Sequence, residues 1–481
     1  MIKTDVVIIG AGAVGCAIAH HLSKHMIDVI VIDKSSDVGG DASKSNSAII
    51  HTGFDAKPNT LESMLVVNAN PMYDQLVADL DIPFQRVGAI VSATTDEEAA
   101  LLPKIEAISH ENGVFDVEIL TADQVKERIP QITDQIKGGV WVPRESIIDP
   151  FIMVVALAEN AVANGVRFLL GSKVTDIIVK NGAVDRVITE TEEIQTQYVI
   201  NAAGLHSDDI ASMIGSIDFT VHPRRGQFFI LDRSSNLETP HIILPVPTKK
   251  TKGKLVSPTT HGNLLIGPTA EDIQDKQDRS VTKEGLDEVL HGVKKLMPAI
   301  DVTYAITEYA GLRPTKTPEG YEIYCSDTTE GFVNVLGIRS TGLTSSIAIG
   351  SYVVQLLKQN GLQLIKKPDY IAKRKGIRKF STADMQTRKQ LIENDPRYGN
   401  IICRCETISE AEIVKAIHSL VPATTLDGIK RRLRPQMGRC QGSFCTPRLI
   451  QILSRELNIS PDRIRKNDKG SELLFHREDK P

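Results

Sequence analysis

The chain has 481 residues, 41% hydrophobic and 24% charged, with a formal net charge of −4; at roughly 150 residues per domain it should hold two or more domains around a large core. The charge balance gives no global reason to expect nucleic acid as a partner, no apolar run reaches the roughly 18 residues that cross a bilayer, and Met1-Ile-Lys3 is too short to be the charged region of an export signal. Six cysteines do not make a disulfide framework in such a length, so the protein is expected in the cytoplasm, with peripheral contact at the inner face of the membrane left open.

The first element is an apolar run, Val6 to Ile9, followed by Gly10, Gly12 and Gly15 at G-x-G-x-x-G spacing, an apolar helix, and a second apolar run, Val29 to Ile32, ending in Asp33. This βαβ order is the unit that seats a dinucleotide. Gly10 allows the tight turn, Gly12 lets the backbone approach a pyrophosphate, Gly15 lets helix pack on strand, and the helix N-terminus offers free N–H groups. Asp33 is placed to accept hydrogen bonds from a ribose diol, and the adjacent Lys34 joins it as a cofactor contact.

A small polar loop follows, with Ser45, Asn46 and Ser47 running through Ala48-Ile-Ile to His51-Thr-Gly53. Turn chemistry alone reads it as a helix cap and a surface turn. It also resembles the loop that FAD-dependent oxidoreductases of the D-amino-acid-oxidase superfamily place against the flavin, most closely in the glycerol-3-phosphate dehydrogenase and L-2-hydroxyglutarate oxidase branch. That resemblance implies an α/β, Rossmann-like FAD-binding domain with an inserted antiparallel β substrate domain. FAD-binding parts are expected at about 1–85, 141–215 and 309–365, and substrate parts at about 86–140 and 216–308.

Residues 85–140 alternate strand-like pieces with a charged helical stretch and carry no recognisable chemistry. A helix is expected over 151–163, ended by Asn164-Gly165, then two strands; the resemblance places the backbone near Val174 against adenine. Tyr198-Val-Ile-Asn-Ala-Ala-Gly204 is a buried strand ending in small residues, so Ala203 and Gly204 are expected beneath the cofactor. From 219 to about 308 short strands punctuated by Pro and Gly suggest an antiparallel sheet. Arg225, in Arg224-Arg225-Gly226, either faces the substrate or is solvated surface charge.

Tyr309-Ala-Gly311-Leu-Arg313-Pro314 returns toward the nucleotide domain. The resemblance implies that Arg313, in its Gly-Leu-Arg-Pro segment, holds a substrate anion by planar, two-pronged contact; Arg339 or Arg225 supplies a second contact. A strand ending at Gly337 leads to a helix start near Gly342, Leu343 and Thr344, whose N–H groups would stabilise the reduced flavin. His51 is the candidate base for the hydroxyl proton of a CH–OH substrate, against a role in packing or in binding a flavin phosphate.

Residues 366–398, basic at their start, read as a linker or docking surface, 399–460 as a separate module and 461–481 as a tail. Cys403 and Cys405 are followed, after 34 intervening residues, by Cys440 and, at C-x4-C spacing, by Cys445. Four thiolates could hold zinc or an iron–sulfur cluster, or stay free; zinc favours C-x2-C knuckles, so the pattern argues for iron. It resembles the [2Fe–2S] fold of bacterioferritin-associated ferredoxins, a helical module also found at the tail of some FAD-dependent dehydrogenases. Lys430-Arg-Arg-Leu-Arg434, Arg404 and Arg439 would raise the cluster's potential and attract an acidic partner. The reading that results is an FAD enzyme oxidising sn-glycerol 3-phosphate and passing electrons through the cluster to a partner flavoprotein subunit or a quinone. The alternatives are an L-2-hydroxyglutarate dehydrogenase and a non-catalytic electron-transfer or redox-sensing flavoprotein.

Overall fold

The apolar runs at Val6–Ile9 and Val29–Asp33 lie side by side in a six-stranded sheet, ordered Arg167–Leu170, Val29–Asp33, Val6–Ile9, Tyr198–Asn201, Phe332–Leu336, Glu322–Cys325. All neighbours are parallel except the last pair. The computed structural model describes residues 2–235, 237, 239–247 and 253–475; residues 476–481 of the expected tail lie outside it.

Strands buried on both faces read as continuous apolar runs, and these are covered on both. Helices Ala13–Leu22, Pro150–Ala163 and Gly342–Gln359 pack on one face. On the other, Val7, Ile9, Ile30 and Ile32 meet Val174, Ile177, Val187 and Ile194 of a four-stranded sheet.

Among the described residues, the two segments expected to form the substrate domain join in one nine-stranded sheet. At one end of it lies the long antiparallel ribbon of Thr220–Leu231 with the edge strand Ala305–Thr317, so the substrate sheet runs past residue 309, where the nucleotide domain was expected to resume. Antiparallel pairing dominates, but Ile242–Pro245 runs parallel to Ala89–Ala93. This parallel seam stitches the two chain segments together. Helix Lys283–Leu296 covers the sheet with Val289, Val293 and Leu296. It falls in a stretch expected to be all strand; its Thr282 cap and apolar residues three and four apart are an ordinary helix signal.

Residues 366–398 run along the flavin domain, where Arg374 pairs with Glu159 and donates to the Leu80 carbonyl, and then form helix Met385–Asn394. The C-terminal module is a short strand pair, Ile401–Cys403 with Ile408–Ser409, and three helices, Glu410–Ile417, Leu426–Leu433 and Thr446–Leu457, around their own core. Ser409 and Glu412 close a capping box at the first of them.

Candidate active site and cluster site

The glycine loop opens a long cavity between the six-stranded sheet and the substrate sheet, with an empty volume of about 1320 Å³ including the part open to solvent. Gly10, at φ +111°, could carry no side chain: a Cβ there would lie 2.4 Å from the Ala202 carbonyl oxygen. A Cβ on Gly15 would lie 1.8 Å from the Gly10 oxygen, which is the close helix–strand approach the third glycine permits. The N-cap residue Gly12 brings no side chain to helix Ala13–Leu22, and the first N–H, that of Ala13, donates to Ser43 Oγ at 2.9 Å; the positive end of the helix dipole still favours a pyrophosphate there. Asp33 lines the cavity, its two oxygens accepting from Ala11 N at 2.7 Å and Ser35 N at 2.8 Å. Burial raises its pKa despite those bonds, and each oxygen keeps a lone pair for a ribose hydroxyl.

Ser45, Asn46 and Ser47 form the next part of the wall. The Asn46 side chain turns inward, donating to the Ala42 and Ser43 carbonyls and accepting from Ala48 N, so it shapes the loop. The loop is pressed against the long ribbon: Tyr309 donates to the Asn46 carbonyl at 2.7 Å, and a Cβ on Gly311 would lie 1.9 Å from the Ser45 oxygen. Ala203, Gly204, Gly337, Gly342 and Leu343 complete the cofactor side.

Arg313 enters the same cavity from the ribbon. Its two terminal nitrogens donate to the Thr269 carbonyl, both at 3.3 Å, and no carboxylate is within ion-pair reach among the described residues. Burial, with Arg224 and Arg339 nearby, pulls its pKa down to about 10, so at neutral pH it is a guanidinium short of a counter-charge. Gly226 makes room for it, since a Cβ there would lie 2.5 Å from its Nη2.

Several expected contacts fall elsewhere. Arg225 points to the opposite face of its strand from Gly226, where Glu271, Asp278 and Ser280 occupy its donors; side chains alternate along a strand, and the parity excludes it. Arg339 pairs with Glu319 at 3.1 Å and is outside the cavity wall, although Ile338 and Ser340 are in it. Lys34 is exposed beyond the strand end, and Ser35 lines the cavity instead. The Val174 side chain packs into the core between the sheets, whereas the contact expected there is by its backbone. The contact expected of Thr344 is by its backbone N–H; its hydroxyl accepts from His51 N at 3.0 Å and donates to the Ile49 carbonyl.

The His51 side chain is 16% exposed. Its Nδ1 lies 2.9 Å from Oε2 of the fully buried Glu145, while Oε1 of Glu145 accepts from Thr52 N and Oγ1. A carboxylate at Nδ1 selects the tautomer with the proton there and leaves Nε2 as an acceptor. Glu145 and Asn70, which donates to the His51 carbonyl, were not legible in the sequence; a lone acid between Arg144 and Ser146 gives no periodic or motif signal.

The four C-terminal cysteines come together. The Sγ atoms of Cys403 and Cys405 are 3.7 Å apart, those of Cys405 and Cys440 3.9 Å, and Cys403 also contacts Cys445. The four sulfurs are thus gathered at one place, as either a zinc ion or a two-iron cluster requires. Gly438 must be glycine, because a Cβ would lie 2.5 Å from the Cys405 sulfur. Arg431 and Arg432 turn inward and both bind Asp37, Arg434 binds Glu406, and the largely exposed Arg439 binds Asp232. Arg404 is exposed beside the cluster ligands.

A dinucleotide cavity roofed by a mixed sheet, joined to a four-cysteine module, defines a flavoprotein with an iron–sulfur outlet. The chain belongs to the FAD-dependent oxidoreductase family, whose pattern matches residues 5–356, and a BFD-like [2Fe-2S] binding domain matches residues 401–455. It is 44% identical over 470 residues to a glycerol 3-phosphate dehydrogenase of Caloramator mitchellensis, covering 98% of both chains. It is 24% identical to one subunit of the anaerobic glycerol-3-phosphate dehydrogenase of Escherichia coli, over 94% of this chain and 88% of that one. Among solved structures, the FAD-bound L-alpha-glycerophosphate oxidase of Mycoplasma pneumoniae superposes with a TM-score of 0.74 at 29% identity, over 78% of this chain and 98% of that one. FAD and a [2Fe–2S] cluster are the cofactors. No helix among the described residues is long and apolar enough to cross a membrane.

Proposed function

We propose that the protein oxidises sn-glycerol 3-phosphate to dihydroxyacetone phosphate and delivers the electrons through its [2Fe–2S] module to a partner subunit or a quinone. The observation that carries this reading is Arg313, a guanidinium without a counter-charge in the wall of the cofactor cavity. Its free donors suit the phosphate of the substrate, and its two bonds to the Thr269 carbonyl fix its plane. His51 takes the hydroxyl proton at Nε2, and Glu145 holds the ring and stabilises the imidazolium that results. Thr344 and Asn70 fix the backbone that carries the ring. FAD, when bound along Gly10 to Gly15, Asp33 and the loop 45–47, supplies the acceptor for the hydride, and the cluster held by Cys403, Cys405, Cys440 and Cys445 accepts single electrons.

The relatives whose names specify glycerol 3-phosphate include one aligned over nearly the whole chain, cluster module included. This favours the phosphate ester over L-2-hydroxyglutarate, and a guanidinium still exposed to the cavity argues against a lapsed substrate site. Anaerobic titration tests the reading: glycerol 3-phosphate bleaches first the flavin and then the cluster. A holoprotein that neither this ester nor 2-hydroxyacids bleach is not a dehydrogenase of this kind.

A further inference from the structure

A second cavity lies where the flavin part meets the cluster module. Its walls are the loop around Lys44 to Ala48, the turn at Ile148 to Phe151, the ribbon at Thr307 to Ala310, and the cluster module around Lys430 and Met437. Ser45 and Asn46 belong to both cavities, so one loop separates this space from the flavin site.

Among the described residues six cations line it, Lys44, Arg279, Lys430, Arg431, Arg434 and Lys466, against three carboxylates. Four of the six are committed: Arg279 to Asp41, Arg431 to Asp37, Arg434 to Glu406 and Lys466 to Asp427. Of the acids, Asp149 holds His261 at 2.8 Å, Asp427 holds Lys466, and Glu308 is exposed. Lys44 and Lys430 make no ion pair among the described residues, and they stand on opposite sides of the domain boundary. Arg431, only 5% exposed, has a buried Nε with no hydrogen-bond partner. Burial lowers the pKa of Lys430 despite the nearby Asp427, with Lys466, Arg431 and Arg434 adding to the effect; burial and then Arg431 lower that of Lys44.

We propose that this cavity is a second ligand site, which takes a phosphate dianion, free or as a monoester, between Lys44 of the flavin part and Lys430 of the cluster module. Each ammonium group brings three donors and no acceptor. Two of them in one space match an oxyanion with two charges and several acceptor oxygens, whereas a carboxylate would neutralise only one. The bound anion replaces repulsion across the boundary with attraction on both sides. A ligand that binds only the docked arrangement stabilises docking by mass action, so phosphate holds the cluster module against the flavin part.

The test uses holoprotein with full flavin and cluster absorbance, carrying Arg313→Gln to remove the anion contact in the flavin cavity. Calorimetric titrations are run with inorganic phosphate and, separately, with methyl phosphate, which has no CH–OH to oxidise. One ligand per chain is expected, with affinity reduced at least tenfold by Lys430→Gln or Lys44→Gln and retained in Lys430→Arg. The tighter of the two titrants identifies the source as free phosphate or an ester. Failure of both to bind, or binding that neither lysine substitution weakens, overturns the proposal. Neither arm measures turnover, so the result stands apart from the proposed oxidation.

Discussion

Asp37 and Arg432 form a buried, two-pronged ion pair across the boundary between the flavin part and the cluster module, with Nη1 to Oδ2 at 2.8 Å and Nη2 to Oδ1 at 2.9 Å. Arg431 adds a third bond to the same carboxylate at 2.7 Å. Burial alone would raise the pKa of Asp37, but the two guanidinium groups overcome it and hold the value down to about 2. Only two residues beyond Asp37, Gly39 donates to the Ala11 carbonyl of the glycine loop, so the clasp is anchored beside the cofactor grip.

Asp37→Ala leaves two buried guanidinium groups without a counter-charge, a change that costs about 3–5 kcal/mol in comparable buried pairs. The expected outcome is a cluster module that undocks before the flavin part unfolds, seen as separate thermal transitions for cluster and flavin absorbance. Acid should act in the same direction. A carboxylate with a depressed pKa contributes stability that is complete above its unfolded value, about 3.9, and that disappears as pH falls through about 2. Docking followed by small-angle scattering should therefore weaken over that window in the wild type. Asp37→Ala should lack this contribution.

The clasp also marks how far sequence reasoning reached. The basic run Lys430 to Arg434 lies between the cysteine pairs and reads as a charge field for the cluster or for an acidic partner, because a single sequence does not say which carboxylate a buried arginine will meet. Gly10, Gly12, Gly15, Asp33 and the four cysteines were legible, since their spacing is the chemistry. Arg225 was read as facing the substrate or as solvated surface charge and is neither, because Glu271, Asp278 and Ser280, which bury its guanidinium, lie far from it in the chain. Glu145 and Asn70 left no trace, because their roles exist only once distant segments meet at His51.

His51→Gln should lower kcat by about 10²–10⁴-fold, the usual range for loss of a general base, while leaving FAD content unchanged. Glu145→Gln keeps the shape but offers either an amide N–H or a neutral carbonyl to Nδ1. It should reduce kcat less than loss of the ring and shift the pH profile of kcat/KM, a readout that a purely structural role for Glu145 would not move. Equal activity in His51→Gln and wild type would remove His51 from the mechanism.

Arg313→Gln should act mainly on binding of the anion. Truncating one partner of a desolvated charge pair costs about 2–5 kcal/mol, so KM for glycerol 3-phosphate should rise about thirtyfold or more. Arg313→Lys should recover only part of this, because an ammonium cannot make the two-pronged contact. Oxidation of uncharged glycerol, if measurable at high concentration, should change little. A similar loss for charged and neutral substrates would mean that Arg313 supports the cavity and does not hold the anion.

Replacing Cys403 or Cys440 with Ser separates the two redox sites. Cys403 is buried and touches both Cys405 and Cys445, whereas Cys440 lies at the more open end of the sulfur chain. Either change should abolish the cluster's absorbance and paramagnetic signal and leave reduction of the flavin by substrate within a few-fold of wild type, because the flavin cavity takes no residue from the cluster module. Gly438→Ala should do the same without replacing a ligand, since its Cβ would lie 2.5 Å from the Cys405 sulfur and displace it. Steady-state transfer to a one-electron acceptor should fall with the cluster in all three variants. Transfer that persisted after cluster loss would place the outlet at the flavin and leave the four cysteines without a part in it.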